Sequence, residues 1–152
     1  MITVAIITRK LREGKSYEDF RKAWFHSTGF GVQPGGNRMF TLINMFDPRE
    51  IIVVGLTETT PEQIAETLNI EVTFRLDHSL DDIIEPEIGR KFGILVAEDD
   101  FSSAGDIVYK PPAIGGKETD LEELFRDVSR IAEQYTRAME EREKGRAKRK
   151  ST

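Results

Sequence analysis

The alternation of apolar and polar positions divides the chain into short blocks. Ile2 to Ile7 is almost wholly apolar and rich in β-branched side chains, and the turn signal Glu13-Gly14-Lys15 lies just beyond Arg9. This predicts a strand over residues 2 to 11. Ser16 with Asp19 three residues on forms a capping box, and Tyr17, Phe20, Ala23 and Trp24 recur at helical spacing. They predict a first helix closing at Gly29 or Gly31, followed by a glycine-rich loop to Asn37. Met39 to Phe46 and Ile51 to Thr57 read as two strands of a hairpin, with Asp47-Pro48-Arg49-Glu50 as the turn between them.

The blocks beyond residue 60 mix two periods. Thr60-Pro61-Glu62-Gln63 carries the marks of a helix start: a capping threonine, proline at the first helical position and a reciprocal glutamine. Ile70, Val72, Phe74 and Leu76 alternate as a strand does, whereas Val72, Leu76, Leu80, Ile83 and Ile84 keep helical spacing over a longer window. The longer pattern predicts two helices, over 61 to 68 and 71 to 85, stopped by Pro86. Phe92 to Ala97 then reads as a fourth strand. Residues 101 to 118 read as an irregular connection, and Thr119 with Glu122 as a third capping box. The last helix, 119 to 143, carries an apolar stripe of Leu121, Leu124, Phe125, Val128, Ile131, Ala132, Tyr135, Ala138 and Met139. The order strand, helix, strand, strand, helix, strand over residues 1 to 100 predicts an α+β domain. It is the split β-α-β pattern of the ferredoxin-like fold, with a four-stranded antiparallel sheet and a long C-terminal helix.

The strands also carry a message about partners. An antiparallel sheet covered by helices on one side exposes polar residues on the other. Here Ile2, Val4 and Ile6 oppose Ala5 and Ile7, and Ile52, Val54 and Leu56 oppose Ile51 and Val53, so both faces are apolar. A second copy of the sheet is the economical cover, which predicts a sheet-to-sheet homodimer. Together, the opening strand MITVAIITRK, the helix SYEDFRKAWFHSTG, the hairpin and the segment GRKFGILVAEDD resemble the dimeric α/β barrel superfamily. Its EthD-like and antibiotic-biosynthesis-monooxygenase-like branches are the nearest in pattern. The resemblance spans about the first 100 residues. It implies a small organic ligand held between sheet and helices, with either cofactor-independent chemistry of oxygenase, cyclase or isomerase type on an aromatic or polyketide-like compound or, as the alternative, a non-catalytic ligand-binding or protein-interaction dimer of the same fold. The EthD-like pattern pairs a tryptophan with a histidine four residues later. Here Trp24 is followed by Thr28 at that distance, and the histidine is His26.

Charge and composition narrow the classes further. The 152 residues carry 22 Lys and Arg against 27 Asp and Glu, a net charge of -5, with no cysteine. Residues 144 to 152 hold five of the basic groups and no acid, leaving a body of -10 and a basic tail expected to be disordered. This balance argues against nucleic acid as the main partner. The absence of cysteine excludes a disulfide scaffold, a thiolate metal site and a catalytic thiol. No apolar run is long enough to span a bilayer, so a cytoplasmic protein is expected. Gly115-Gly116-Lys117 lacks the Ser or Thr of a phosphate loop, and no G-x-S-x-G, H-E-x-x-H or dinucleotide fingerprint occurs. No cofactor and no metal are expected.

Five side chains are candidates for a site. His26 has the intrinsic basicity of a general base at neutral pH, yet regular helical geometry places it on the polar face beside Lys22. Trp24 belongs to the apolar face of the first helix, as core or as the wall of a ligand pocket. Arg38 and Asn44 share a strand face with Phe40 and Leu42; the amide of Asn44 serves either a ligand oxygen or a neighbouring backbone group. His78 lies one helical turn from Phe74 and Asp82 if its segment is helical, a spacing suited to a ligand contact or to a surface pair.

Overall fold

The computed structural model describes residues 1–24, 37–60, 63, 78–102, 105 and 108–151. Four long strands, β1 (Ile2–Leu11), β2 (Asn37–Asn44), β3 (Asp47–Glu58) and β4 (Ile84–Ile94), form one sheet in the order β2-β3-β1-β4 with every neighbour antiparallel. A helix α1 (Tyr17–Trp24) follows β1, a two-stranded ribbon is made by β5 (Ala113–Ile114) and β6 (Lys117–Glu118), and a 30-residue helix α2 (Leu121–Lys150) ends the chain. The protein is thus α+β, with a four-stranded antiparallel sheet and a long C-terminal helix.

Local chemistry places these elements. The predicted capping box at the start of α1 is formed. Ser16 N donates to Asp19 Oδ2 at 2.8 Å, and Asp19 N donates back to Ser16 Oγ at 3.1 Å. Helical spacing then brings Tyr17, Phe20 and Trp24 onto the sheet. Phe20 and Ile51 are fully buried in a core completed by Leu11, Val53, Leu80 and Ile84, with Ile7, Trp24 and Ile88 packed around it. Burying a side chain of this size contributes roughly 1.5–3 kcal/mol. The strand residues of this core have odd numbers in β1 and β3, so α1 covers the face that carries Ala5, Ile7, Ile51 and Val53. Arg49 fastens the same end of the sheet by donating to the Leu11 carbonyl at 3.0 and 2.7 Å and to Glu85 Oε1 at 2.7 Å.

Five expectations shift. The hairpin turns at Met45-Phe46, and not at 47 to 50. Asn44 makes that turn by accepting from Phe46 N at 2.9 Å, an Asx turn, while its amide donates to Glu50. Pro48 sits where the register shifts between Ile43↔Ile51 and Asn44↔Asp47, a bulge in which no ladder N–H is needed. The fourth strand begins at Ile84 and ends at Ile94, so the helix expected over 71 to 85 does not reach its predicted end. Leu80 instead heads a single turn, with Ile83 N and Ile84 N donating to its carbonyl at 2.9 and 3.0 Å. Pro86 lies inside β4, on an edge strand and at the bulge between Arg9 and Leu11, the two places where a strand tolerates proline. In the connection before α2, Gly115 and Gly116 take φ of 58° and 78° and turn β5 into β6.

The cap and the end of α2 also differ from expectation. Asp120 caps it, its carboxylate accepting from Glu123 N at 3.0 Å, and Thr119 donates to the Val96 carbonyl at 2.6 Å instead. The helix continues through Lys144 to Lys150, the segment expected to be a disordered tail. Cations there complement the partial negative charge of a helix C-terminus. The capping box at Thr60 is present: Thr60 N donates to Gln63 Oε1 at 2.9 Å and Gln63 N to Thr60 Oγ1 at 3.3 Å. The end of the first helix, the glycine-rich loop before Asn37, and residues 64 to 77 lie outside the described residues.

Candidate functional site

A cavity of about 360 Å³ lies between the α1 side of the sheet and helix α2. Its floor is made by three strands in register. Ala5 of β1 pairs with Gly55 of β3 on one side and with Phe92 of β4 on the other, and Thr3 pairs with Thr57 and Ile94. The two smallest residues therefore stand side by side at the centre of the sheet, and their missing side chains leave the space. The roof is one stretch of α2, Val128, Ile131, Ala132 and Tyr135. The ring of Tyr135 meets that of Phe92 at a centroid distance of 5.0 Å. No residue of α2 is fully buried, so the roof rests lightly on the sheet.

The lining is almost wholly apolar. Among its described residues no acid, Lys, Arg or His appears, and Tyr135 contributes a phenol. Besides the Tyr135 hydroxyl, the polar side-chain atoms come from threonines engaged with the protein. Thr3 donates to the Thr57 carbonyl at 3.2 Å, and the buried Thr59 bonds the Thr60 carbonyl and Gln63 Oε1 at 3.2 and 3.1 Å. Further along α2 a second groove, of about 320 Å³, lies against the first half of β4. It is lined by Arg90, Arg142 and Arg146 together with Asp81, Glu85 and Glu143, so its charges balance. The two spaces show that α2 runs the length of β4 in the opposite direction.

The residues singled out in the sequence do not converge on this cavity. Trp24 packs on Phe20, ring on ring at 6.0 Å, at the end of the sheet where β1 finishes, so its place is the core. The cavity lies at the opposite end, where β1 begins. Asn44 lies at the hairpin turn, accepting from Phe46 N and donating to Glu50. Arg38 sits exposed on the uncovered face with its guanidinium 5.2 Å from the Phe40 ring centre. His78 is exposed in a bend just before Leu80, again at the far end, and not on a helix with Asp82. His26 lies outside the described residues.

What the sequence reading missed is the set Ala5, Gly55, Phe92 and Tyr135. A glycine inside a strand pattern was the available signal, since it marks a place where something approaches the backbone closely or a side chain is lacking. Among the described residues no three His, Asp or Glu side chains are grouped to hold a metal ion, and no helix is long and apolar enough to cross a membrane.

No described element covers the opposite face of the sheet. Val4 and Ile6, Ile52, Val54 and Leu56, and Phe40 and Leu42 line it in register, with Phe40 and Leu42 each 45% exposed. At one end of this face the hairpin tip presents Met45 and Phe46, 89% and 94% exposed. The tip is held by polar contacts: Lys10 Nζ lies 2.8 Å from Asp47 Oδ2, and Arg49 N donates to Asp47 Oδ1 at 3.1 Å. Lys10 first, and then the Arg49 amide, hold the Asp47 carboxyl below its ordinary pKa. No protein-family model matches the sequence, and no curated protein or solved structure matches it either.

Proposed function

We propose that this chain is a small-molecule-binding protein of the ferredoxin-like, dimeric α/β barrel type, which pairs with a second copy through its uncovered sheet face. The observation that carries the binding reading is the apolar cavity between the Ala5-Gly55-Phe92 floor and the Tyr135 turn of α2. It is enclosed on two sides, sized for a small organic compound, and lined so as to exclude water from its occupant. The strand order β2-β3-β1-β4, all antiparallel, supports the ferredoxin-like assignment, because the first two strands are parallel to each other with β3 inserted between them. The apolar outer face supports the homodimer, since exposed apolar patches of this kind mark contact surfaces. The expected location is the cytoplasm.

Binding is placed before catalysis. The resemblance implies oxygenase, cyclase or isomerase chemistry, and the sequence offers His26 as a candidate general base, but the described lining offers a reacting group only the Tyr135 phenol. Native mass spectrometry of the purified protein tests the reading. The expected spectrum shows a dimer carrying a small organic adduct that is lost in Ala132→Trp. An unliganded protein that also fails to take up ring compounds overturns it. For the dimer, Leu42→Glu places a carboxylate on the outer face, on the edge strand β2, and is expected to sediment as a monomer. A wild-type protein that is itself monomeric at micromolar concentration removes that part of the proposal.

A further inference from the structure

We infer that the ligand of the cavity is an uncharged compound of one or two rings that offers an oxygen as hydrogen-bond acceptor to the hydroxyl of Tyr135. This rests on the reading of the cavity as a binding site and specifies what it takes. The argument begins with charge. Among the described lining residues no ionic side chain is present to serve as counterion to a bound carboxylate, phosphate or ammonium group. An unpaired charge is disfavoured in such surroundings far more strongly than a neutral polar group that finds one hydrogen bond.

The second step concerns donors. The hydroxyl protons of Thr3 and Thr59 are taken by protein oxygens, which leaves these two only lone pairs to offer, and Thr57 is not without a partner of its own. Tyr135 differs, because no group among the described residues accepts from its hydroxyl. Side chains on a helix lean toward its N-terminus, which carries the Tyr135 ring over Ile131 and Ala132, both of them cavity residues. Its ring already lies against Phe92. A flat ligand resting on the Gly55-Ala5 floor meets the aromatic pair at one side, where ring contacts favour another ring, and finds one donor within the wall.

Calorimetric titration with three probes of one shape tests the inference: naphthalene, 2-acetylnaphthalene and 2-naphthoate. The neutral ketone is expected to bind at least about tenfold more tightly than the carboxylate. Tyr135→Phe is expected to weaken the ketone by about three- to tenfold, the value of one hydrogen bond, and to leave naphthalene unchanged. Ala132→Trp, which fills the space from the roof, is expected to abolish binding of all three. Gly55→Ala narrows the floor with only ordinary contacts to Met39 at 3.8 and 3.9 Å, and is expected to weaken all three without unfolding the sheet. If 2-naphthoate binds as well as the ketone, or Tyr135→Phe is silent while Ala132→Trp abolishes binding, the ligand class is wrong and the site stands. If both filling variants bind the ketone like the wild type, or no probe binds at about 1 mM, the cavity is not the site and both readings fall.

Discussion

Gly89→Ala is the sharpest test of the sheet, because it probes the pairing that departs most from the helical pattern of the sequence. Gly89 stands opposite Thr8 in the β1–β4 ladder. A Cβ added there would lie 2.2 Å from Thr8 Oγ1 and 3.6 Å from Thr8 Cβ, the first far inside van der Waals contact. The hydroxyl has to move, and a β-branched side chain has few rotamers to move into. Forcing a side chain off its preferred rotamer costs about 0.5–1.5 kcal/mol, and overpacking with backbone shifts costs about 1–3 kcal/mol. Replacing glycine by alanine in a strand returns about 0.5–1 kcal/mol through reduced backbone entropy. The net expectation is a loss of about 1–2 kcal/mol, or about 3 to 6 °C in Tm for a chain of this length. Thr8→Ala removes the obstacle, so Thr8→Ala/Gly89→Ala is expected to be no less stable than Thr8→Ala alone, a coupling of about 1–2 kcal/mol. The four proteins are compared by urea denaturation at one fixed protein concentration, since dimerisation would shift apparent stability. A Gly89→Ala variant as stable as wild type, or single effects that simply add, would refute the register that begins β4 at Ile84.

Two further outcomes follow from the caps. Asp120→Ala removes the acceptor for Glu123 N and is expected to cost about 0.5–2 kcal/mol and to lower the 222 nm ellipticity, whereas Glu122→Ala is expected to have little effect; the reverse ranking would restore Thr119 as the cap. The Asp19 carboxyl is held below its ordinary pKa by the Ser16 backbone N–H first and the Ser16 hydroxyl second. A lowered folded-state value stabilises above the unfolded pKa, so the stability difference between wild type and Asp19→Asn is expected to be full near neutral pH. It should vanish as pH falls through and below the carboxylate range of about 4. A difference that persists unchanged in acid would mean that the charge of Asp19 plays no part.

The parts of the fold that were legible in the sequence are those decided within a few residues. The Ser16/Asp19 and Thr60/Gln63 capping boxes were read from residue identity alone, and both are formed. The first strand and the stripe of α2 rest on local periodicity and were also readable. Proline misled twice for one reason. Pro48 and Pro86 signal a break when the chain is taken alone, but each sits in a bulge of an assembled sheet, and only the pairing shows that its missing N–H is not needed. The helical spacing of Leu80 with Ile83 and Ile84 reflects one real turn that tertiary pairing then converts into a strand. The cavity was illegible on stronger grounds. It depends on Gly55 lying beside Ala5, and adjacency across strands is a property of register, which no single segment encodes.

Register also separates the two surfaces on which the functional proposals stand. Successive residues of a strand point to opposite faces, so Ala5 and Gly55 open the cavity while Val4, Ile6, Val54 and Leu56 present the outer face from the same two strands. Val4 also borders the cavity, so the two surfaces meet at β1. Leu42 belongs to the outer face and is absent from the described lining, so Leu42→Glu is expected to remove dimerisation and leave the affinity for 2-acetylnaphthalene unchanged. Ala132→Trp, on the roof of the cavity, is expected to do the opposite. If each variant instead lost both properties, the occupied cavity would have to set the spacing or twist of β1 against β3. The hydrophobic continuity of both faces would then reflect one coupled device, and not two surfaces served by one sheet.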